Sequence, residues 1–332
     1  MASTVNARHS LKVRVTLAAL LISSLGFWLL SFFAAQLLRE DMGHQLGDQQ
    51  FSTVKYVASE INGQLEDRLK ALELIADAIS APLLANPANL QKFLDQRIVI
   101  HSLFNEGEMV LNQAGISIAA SSMTNQRIGV SYMERDYATL ALHQGVPAIG
   151  RVVMGKAAQA PVLVMAVPIR DTQGSVIGAL AGVTNLSKAN FLDKISNTHY
   201  GKSGGYLIVD KNHRMIISGT DKRRIMEPSP PLGKFPVIDQ FLGGFEGSTV
   251  FINPLGVEVL QSSAAVPIAG WYIAASLDTL EAFAPIQRMQ QNLLLATLAL
   301  TLALGGITWR VVRRQLLPLS ETAIELAALA ES

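Results

Sequence analysis

Three features of the sequence could do chemistry. "GKSGG" at 201–205 has the spacing of the serine-hydrolase elbow, with Ser203 in the place of the nucleophile. That elbow needs a strand before the turn and a helix after it, so that the hydroxyl is lifted over a sheet edge. Here a helical stretch precedes and the strand-like "YLIVD" follows. The order is reversed, and the glycines are expected to stop a helix and turn the chain into a strand. Six histidines, at 9, 44, 101, 143, 199 and 213, show no H-x-x-H or H-E-x-x-H spacing, so no metal site or cofactor is expected from them. The third feature is "YMERDYATL" (132–140). Its Arg135 offers a planar fork of donors for a carboxylate, and Tyr137 adds a ring wall and a hydroxyl. Tyr132 lies about one helical turn before Arg135 and could share its face. The structural alternative makes Arg135 and Asp136 an ion pair or helix cap and packs Tyr137 in a core. No two carboxylates are recognisable as an acid/base couple, and "DKRR" (221–224) reads as a solvated basic loop.

The frame for these groups comes from a chain of 332 residues, 49% hydrophobic and 16% charged, with a net charge of +1. That balance gives no argument for nucleic acid as a partner, and none is expected. With no cysteine, disulfides, thiolate metal sites and thiol chemistry are excluded. Apolar residues at Phe51, Val54, Ala58, Ile61, Leu65, Leu69, Leu72, Ala76 and Ile79 keep a helical period, which predicts a long helix over 39–80 stopped by Pro82. A short helix is expected in "LLANPANLQKFLDQRI". Then the period changes to two: "MVLNQAGISIAAS" (109–121) predicts two short strands around a glycine turn, and 160–186 two long strands joined at Asp171–Gly174. "SKANFLDKISNTHY" reads as a helix ending at Gly201. The order then repeats, with a hairpin at 204–219 and three strands within 244–278. The tetrapeptide "AVPI" occurs at 166–169 and 265–268, each time ending a strand, which suggests an internal duplication of an antiparallel α+β unit.

Two stretches are candidate membrane spans. Val15 to Leu38 carries no charge and would reach roughly 36 Å as a helix, enough for a ~30 Å hydrocarbon core. "NLLLATLALTLALGGITW" (292–309) would reach roughly 27 Å and ends in the anchors Trp309 and Arg310. A cleaved signal peptide is the rival reading of the first, but its apolar part is long and no A-x-A site follows. Arg8, Lys12 and Arg14 before the first span, and Arg310, Arg313 and Arg314 after the second, place both ends in the cytoplasm under the positive-inside rule. The region between them would lie across the membrane. Beyond it, Leu316, Leu319, Ala323, Leu326 and Ala330 form a heptad seam.

This layout resembles the double Cache sensor region of bacterial transmembrane receptors. The likeness is carried by "MERDYATLALHQGVPAIG", "VMAVPIRDTQGSVIGALAGVTNLS" and "GKSGGYLIVDKNHRMIISG", and covers roughly residues 39–283. The tail, with Pro318 just after the span, looks like the opening helix of a HAMP linker. The span and tail together look most like sensors placed ahead of diguanylate cyclase or phosphodiesterase modules. The resemblance implies an α+β fold: two tandem antiparallel-sheet, PAS-like Cache domains on a long N-terminal helix, plus two transmembrane helices. Expected limits are 1–14 cytoplasmic, 15–38 first span, 39–82 long periplasmic helix, 83–198 membrane-distal Cache domain, 199–283 membrane-proximal Cache domain, 289–309 second span and 310–332 HAMP-like start. It also puts Arg135 and Tyr137 on the membrane-distal pocket wall, with Tyr132 beside them. Facing them, in "AGVTNLS", amino-acid receptors of this family place an Asp to hold the ligand's ammonium. This chain has Thr184 and Asn185 there, and Ala138 where a second aromatic would sit, which argues against an α-amino acid and favours a carboxylate or other small polar ligand.

The expected function is a sensor in the bacterial inner membrane, acting as a homodimer. It would bind a small periplasmic ligand and relay a change through the second span to a cytoplasmic effector. It would not itself be an enzyme. No kinase histidine box, GGDEF or EAL motif is legible, so the chain is expected to be a truncated receptor or a fragment. The alternatives are a membrane-tethered periplasmic enzyme, which needs a polar catalytic cluster, and a scaffold that binds another protein.

Overall fold

A computed structural model of the chain describes residues 11–121 and 126–311. The heptad seam and Pro318 lie outside the described residues. The chain divides into two compact units. One holds the apolar helices at the two ends, and the other, Leu46–Ala282, holds both sheets.

Helix α1 (Leu11–Ala76) contributes to both units. In the sheet unit Val54, Ala58, Ile61, Leu65, Leu72 and Ala76 are buried at the spacing read from the sequence. The helix stops at Ala76, not at Pro82. Turn hydrogen bonds close residues 77–79, and Ser80 is extended. Pro82 sits instead in the first turn of α2 (Ala81–Leu84), where its missing N–H costs nothing. Helices α3 (Pro87–Asp95) and α4 (Ile98–Leu103) follow, the first capped by the Asn86 side chain, which accepts from Asn89 N.

The first sheet contains β1 (Glu108–Asn112), β2 (Ser117–Ala120), β3 (Ala148–Ile149), β4 (Val153–Met154), β5 (Pro161–Arg170) and β6 (Val176–Asn185). Its order is β2-β1-β6-β5-β3, with β4 also on β5. Between β2 and β3 lie α5 (Asp136–Thr139) and a π-helical turn, Leu140–Gln144. The helix expected over 187–200 shrinks to α6 (Asp193–Ser196). Its N-terminal half forms local turns instead: Asn185 Oδ1 accepts from Ser187 N and Asn190 Oδ1 from Leu192 N. Such side-chain bonds compete with the helix for backbone donors.

The second sheet is built from β7 (Gly205–Asp210), β8 (Met215–Gly219), β9 (Gly247–Ile252), β10 (Glu258–Val266) and β11 (Trp271–Asp278), in the order β8-β7-β11-β10-β9. Helix α7 (Pro236–Leu242) precedes β9, and α8 (Thr279–Ala282) follows β11. The two sheets therefore share one topology, a short hairpin laid against the last strand of a long one. The two "AVPI" copies fall on the matching strands β5 and β10. In the second copy the strand ends at Val266 and Pro267 opens a 3-10 turn. In the first, β5 continues through the proline to Arg170. One face of each sheet joins the stripe of α1 in a single apolar core, which takes in Leu163 and Leu180 from the first sheet and Ile208, Val266, Trp271 and Ile273 from the second. The opposite face of the first sheet is covered by α5 and the π-turn.

In the other unit, α9 (Ala284–Val311) and the first part of α1 are long and apolar enough to cross a membrane. Leu30, Phe32 and Phe33 point outward, as lipid-facing residues would. Ser31 Oγ and Thr297 Oγ1 are 2.5 Å apart, and Gln290 Nε2 donates to Ala35 O at 3.1 Å.

Candidate functional site

Residues 132–137 are held on the face of the first sheet opposite the α1 stripe by a clasp at Asp136. Its Oδ1 accepts from Tyr137 N at 2.8 Å and its Oδ2 from Arg151 N at 2.9 Å, so one carboxylate ties the start of α5 to the loop between β3 and β4. Gly150 makes this approach possible, since a Cβ there would lie 2.8 Å from Tyr137 Cδ1. The π-turn ends at Gly145, whose left-handed backbone (φ 66°) suits glycine.

Beneath this clasp is a small cavity, whose empty space is about 320 Å3 when its open mouth is counted. Arg127, Tyr132, Arg135, Tyr137 and Lys156 supply its polar lining. Met109, Val153, Val162, Val164 and Val183 supply most of the apolar wall. Tyr137 is almost wholly buried, and burial raises the pKa of both tyrosines, so they stand as neutral hydroxyls. Among the described residues neither hydroxyl has a hydrogen-bond partner.

The cations of the site come in two groups. Arg135 Nε lies 3.0 Å from Glu134 Oε1, and Lys156 Nζ lies 2.8 Å from the same oxygen. Lys156 also donates to Ser131 O at 2.6 Å and stands over the Tyr132 ring, 5.3 Å from its centroid. Arg127 is 3% exposed; its Nη1 donates to Glu106 O at 2.9 Å, and its Nη2 is 3.9 Å from Glu106 Oε1. Glu106 also takes Lys188 Nζ at 2.8 Å and Asn185 Nδ2 at 3.1 Å. Burial works against the ionised form of Glu106, but the bonds from Lys188 and Asn185, with the nearby charges, hold its carboxyl below its ordinary value. It is therefore a carboxylate at neutral pH.

Of the residues expected at the site, Arg135, Tyr137 and Tyr132 line this one cavity, and Thr184 and Asn185 do not. Side chains alternate along β6, so Val183 faces the cavity while Thr184 shares the face of Gly182, which packs on the Phe104 ring. The Thr184 hydroxyl is buried without a partner among the described residues. Asn185 supports the site indirectly, by bracing Glu106 behind Arg127. Arg135 pairs with Glu134, not Asp136, and Asp136 serves as the clasp. Arg127 and Lys156 were not singled out in the sequence, where each is a lone cation in a polar loop. The "GKSGG" glycines lead directly into β7, and Ser203 ties that loop to α8. Its N–H and Oγ donate to Glu281 Oε2 at 2.8 and 2.6 Å, while Lys202 N donates to Oε1 at 2.7 Å.

A second buried carboxyl lies on the far face of the first sheet. Glu108 has no exposed surface, and neither of its oxygens has a hydrogen-bond partner among the described residues. His101 Nδ1 comes within 3.2 Å of Oε2 but out of hydrogen-bonding alignment. Burial pushes the Glu108 pKa up to about 8, and the charge of Asp95 adds to the rise.

Comparison with known families settles what carries this cavity. The family model described as a Cache domain matches residues 35–286. The chain belongs to the Cache domain family. Among solved structures, this Cache protein is similar to the ligand-binding domain of Mlp24 with asparagine, at 18% identity and a TM-score of 0.57, covering 75% of this chain and 99% of that one. It is similar to the ligand-binding domain of the Pseudomonas aeruginosa PAO1 amino acid chemoreceptor PctB in complex with L-Gln, at 20% identity and a TM-score of 0.56, covering 71% and 93%. A third likeness is to an extracellular domain described as that of a histidine kinase, mmHK1S-Z3, at 14% identity and a TM-score of 0.60, covering 74% and 98%. At these identities the likeness establishes the shared fold. No curated protein sequence matches the chain. The Cache architecture, with two sheets on a long helix, is the one read from the sequence.

Proposed function

We propose that this Cache protein is a membrane receptor whose first sheet domain binds a small ligand bearing a carboxylate, with Arg135 as the main anchor. The observation that carries this reading is the cavity itself, where Arg135, Tyr132 and Tyr137 converge with Arg127 and Lys156 over an apolar floor. The Arg135 guanidinium gives Nε to Glu134 and Nη2 to Met154 O at 3.3 Å, and its Nη1 donors, next to neutral hydroxyls in a partly dry site, favour a carboxylate. The relatives named for a bound asparagine or glutamine support a small ligand for this fold.

The rest of the reading rests on the sequence. The sheet unit would be periplasmic, with 83–198 as the membrane-distal and 199–283 as the membrane-proximal domain. Residues 15–38 and 289–309 would span the inner membrane, and the HAMP-like tail of a homodimer would pass the change to an effector such as a cyclase, phosphodiesterase or kinase. A ligand moves such a receptor only by the difference in its affinity for two conformations. The test is thermal unfolding of the full chain in detergent against panels of carboxylates, amines and nucleobases. A carboxylate is expected to raise the melting temperature, and Arg135→Ala to remove the rise. No shift with any compound would overturn the reading.

A further inference from the structure

The charges around the cavity do not cancel, and the surplus has a definite arrangement. On one side Glu134 is shared by Arg135 and Lys156. On the other, Glu106 is shared by Arg127 and Lys188. Each carboxylate thus serves two cations, and Asp136, held by backbone N–H groups, offsets one of the two surplus charges, so four cations face three acids and one positive charge is left over. Tyr132 links the two groups, since it feels the charge of both Arg127 and Arg135. No Asp or Glu is among the described lining residues. The acids nearest the cavity, Glu106, Glu134 and Asp136, are all engaged by the protein's own donors. A ligand ammonium would find no free carboxylate there.

Resting on the binding reading above, we propose that the ligand is a short dicarboxylate without an amino group. One of its carboxylates would be held by Arg135 and Lys156, the other by Arg127. Three features support this class over others. The Arg127 guanidinium is buried, its nearest carboxylate oxygen, on Glu106, stands 3.9 Å away, and its other acidic neighbour, Glu108, is held protonated by burial, so an incoming anion supplies the close charge it lacks. The cavity that holds both groups of cations is also lined by Val162, Val164 and Val183, which suits the methylene spacer of a dicarboxylate better than the uniformly polar surface of a phosphate. The tyrosine hydroxyls are neutral, and each can donate to a carboxylate oxygen.

The experiment measures binding of succinate, butyrate, alanine, glutamate and inorganic phosphate to the full chain in detergent, by calorimetry and by thermal shift. Succinate is expected to bind about 10- to 100-fold more tightly than butyrate, the gain from a hydrogen bond to a charged group. It should also bind more tightly than either amino acid or phosphate. Arg127→Gln is expected to abolish the advantage of succinate over butyrate while butyrate still binds, whereas Arg135→Gln weakens both. Butyrate or an amino acid binding as tightly as succinate would overturn the dicarboxylate assignment and leave the carboxylate site standing. Phosphate binding more tightly than succinate would overturn it in favour of another anion. No binding by any of the five would overturn the site along with it. The ligand ranking is read on the unaltered chain, so a variant that fails to fold does not obscure the answer.

Discussion

Glu108→Gln is expected to stabilise the protein at pH 8 and leave it unchanged at pH 5. The carboxyl is fully buried and has no hydrogen-bond partner among the described residues, so the folded protein favours its protonated form. Its pKa is about 8 in the fold against an ordinary 4.5. The folded state therefore holds the proton more tightly than the unfolded chain. The stability linked to this group is fully present below about pH 4.5, shrinks as pH rises, and is lost by about pH 8. At about 1.4 kcal/mol for each unit of pKa, the full span is on the order of 5 kcal/mol. For a unit of this size that corresponds to a fall on the order of 10 °C in melting temperature between pH 5 and pH 8. Glutamine has the shape of the protonated acid and never ionises, so the variant lacks this slope. The assay is thermal unfolding of both proteins in detergent at half-unit steps from pH 5 to 8.5. The difference between the two curves cancels the histidines remote from Glu108, and repeating the pair in a His101→Gln background removes the one that touches it. Parallel curves would refute the argument, because they would mean that ionised Glu108 is accommodated in the fold at no cost.

Other perturbations test the frame. Leu65→Ala removes a fully buried side chain from the stripe of α1 that serves both sheets, and should cost about 2–5 kcal/mol, read as a lower denaturation midpoint. Gly150→Ala places a Cβ 2.8 Å from Tyr137 Cδ1 and 3.0 Å from Asp136 Oδ1, so it should cost about 1–3 kcal/mol and weaken the ligand-induced thermal shift. Glu281→Ala frees the Lys202 and Ser203 amides, and faster hydrogen exchange across residues 201–205 is expected with little change elsewhere. In the unaltered protein the hydrogen bonds from Ser203 and Lys202 hold the Glu281 carboxyl below its ordinary value, so that protection should fade only when pH falls below about 4.5.

The parts of this structure that were legible in sequence are those with a single periodic demand. Helix α1 buries one face only, so Val54 to Ala76 announced both the helix and its orientation. The paired strands were legible because Gly115 and Gly174 punctuate them. What could not be read is which face of a strand meets the cavity. From Gly178 to Asn185 β6 is buried on both sides, so no alternation of polarity distinguishes Val183 from Thr184. The site was therefore half legible. Arg135, Tyr132 and Tyr137 lie together in one segment, whereas Arg127 and Lys156 reach the cavity from separate loops, and only the fold brings them together. The early end of α1 and the short α6 have local causes, in backbone turns and Asx-type side-chain bonds, which a pattern of apolar residues does not record.

The common core has a practical consequence for anyone following this receptor in solution. Trp271 is buried in the second sheet, in the same apolar cluster as Leu163 and Leu180 of the first. A cluster shared in this way couples the unfolding of the two sheets, because neither can open without exposing apolar surface of the other. The indole therefore serves as a built-in reporter for an occupant it never touches. A ligand that tightens the cavity beside Arg135 should delay the fluorescence change of Trp271 by as much as it delays the loss of the first sheet.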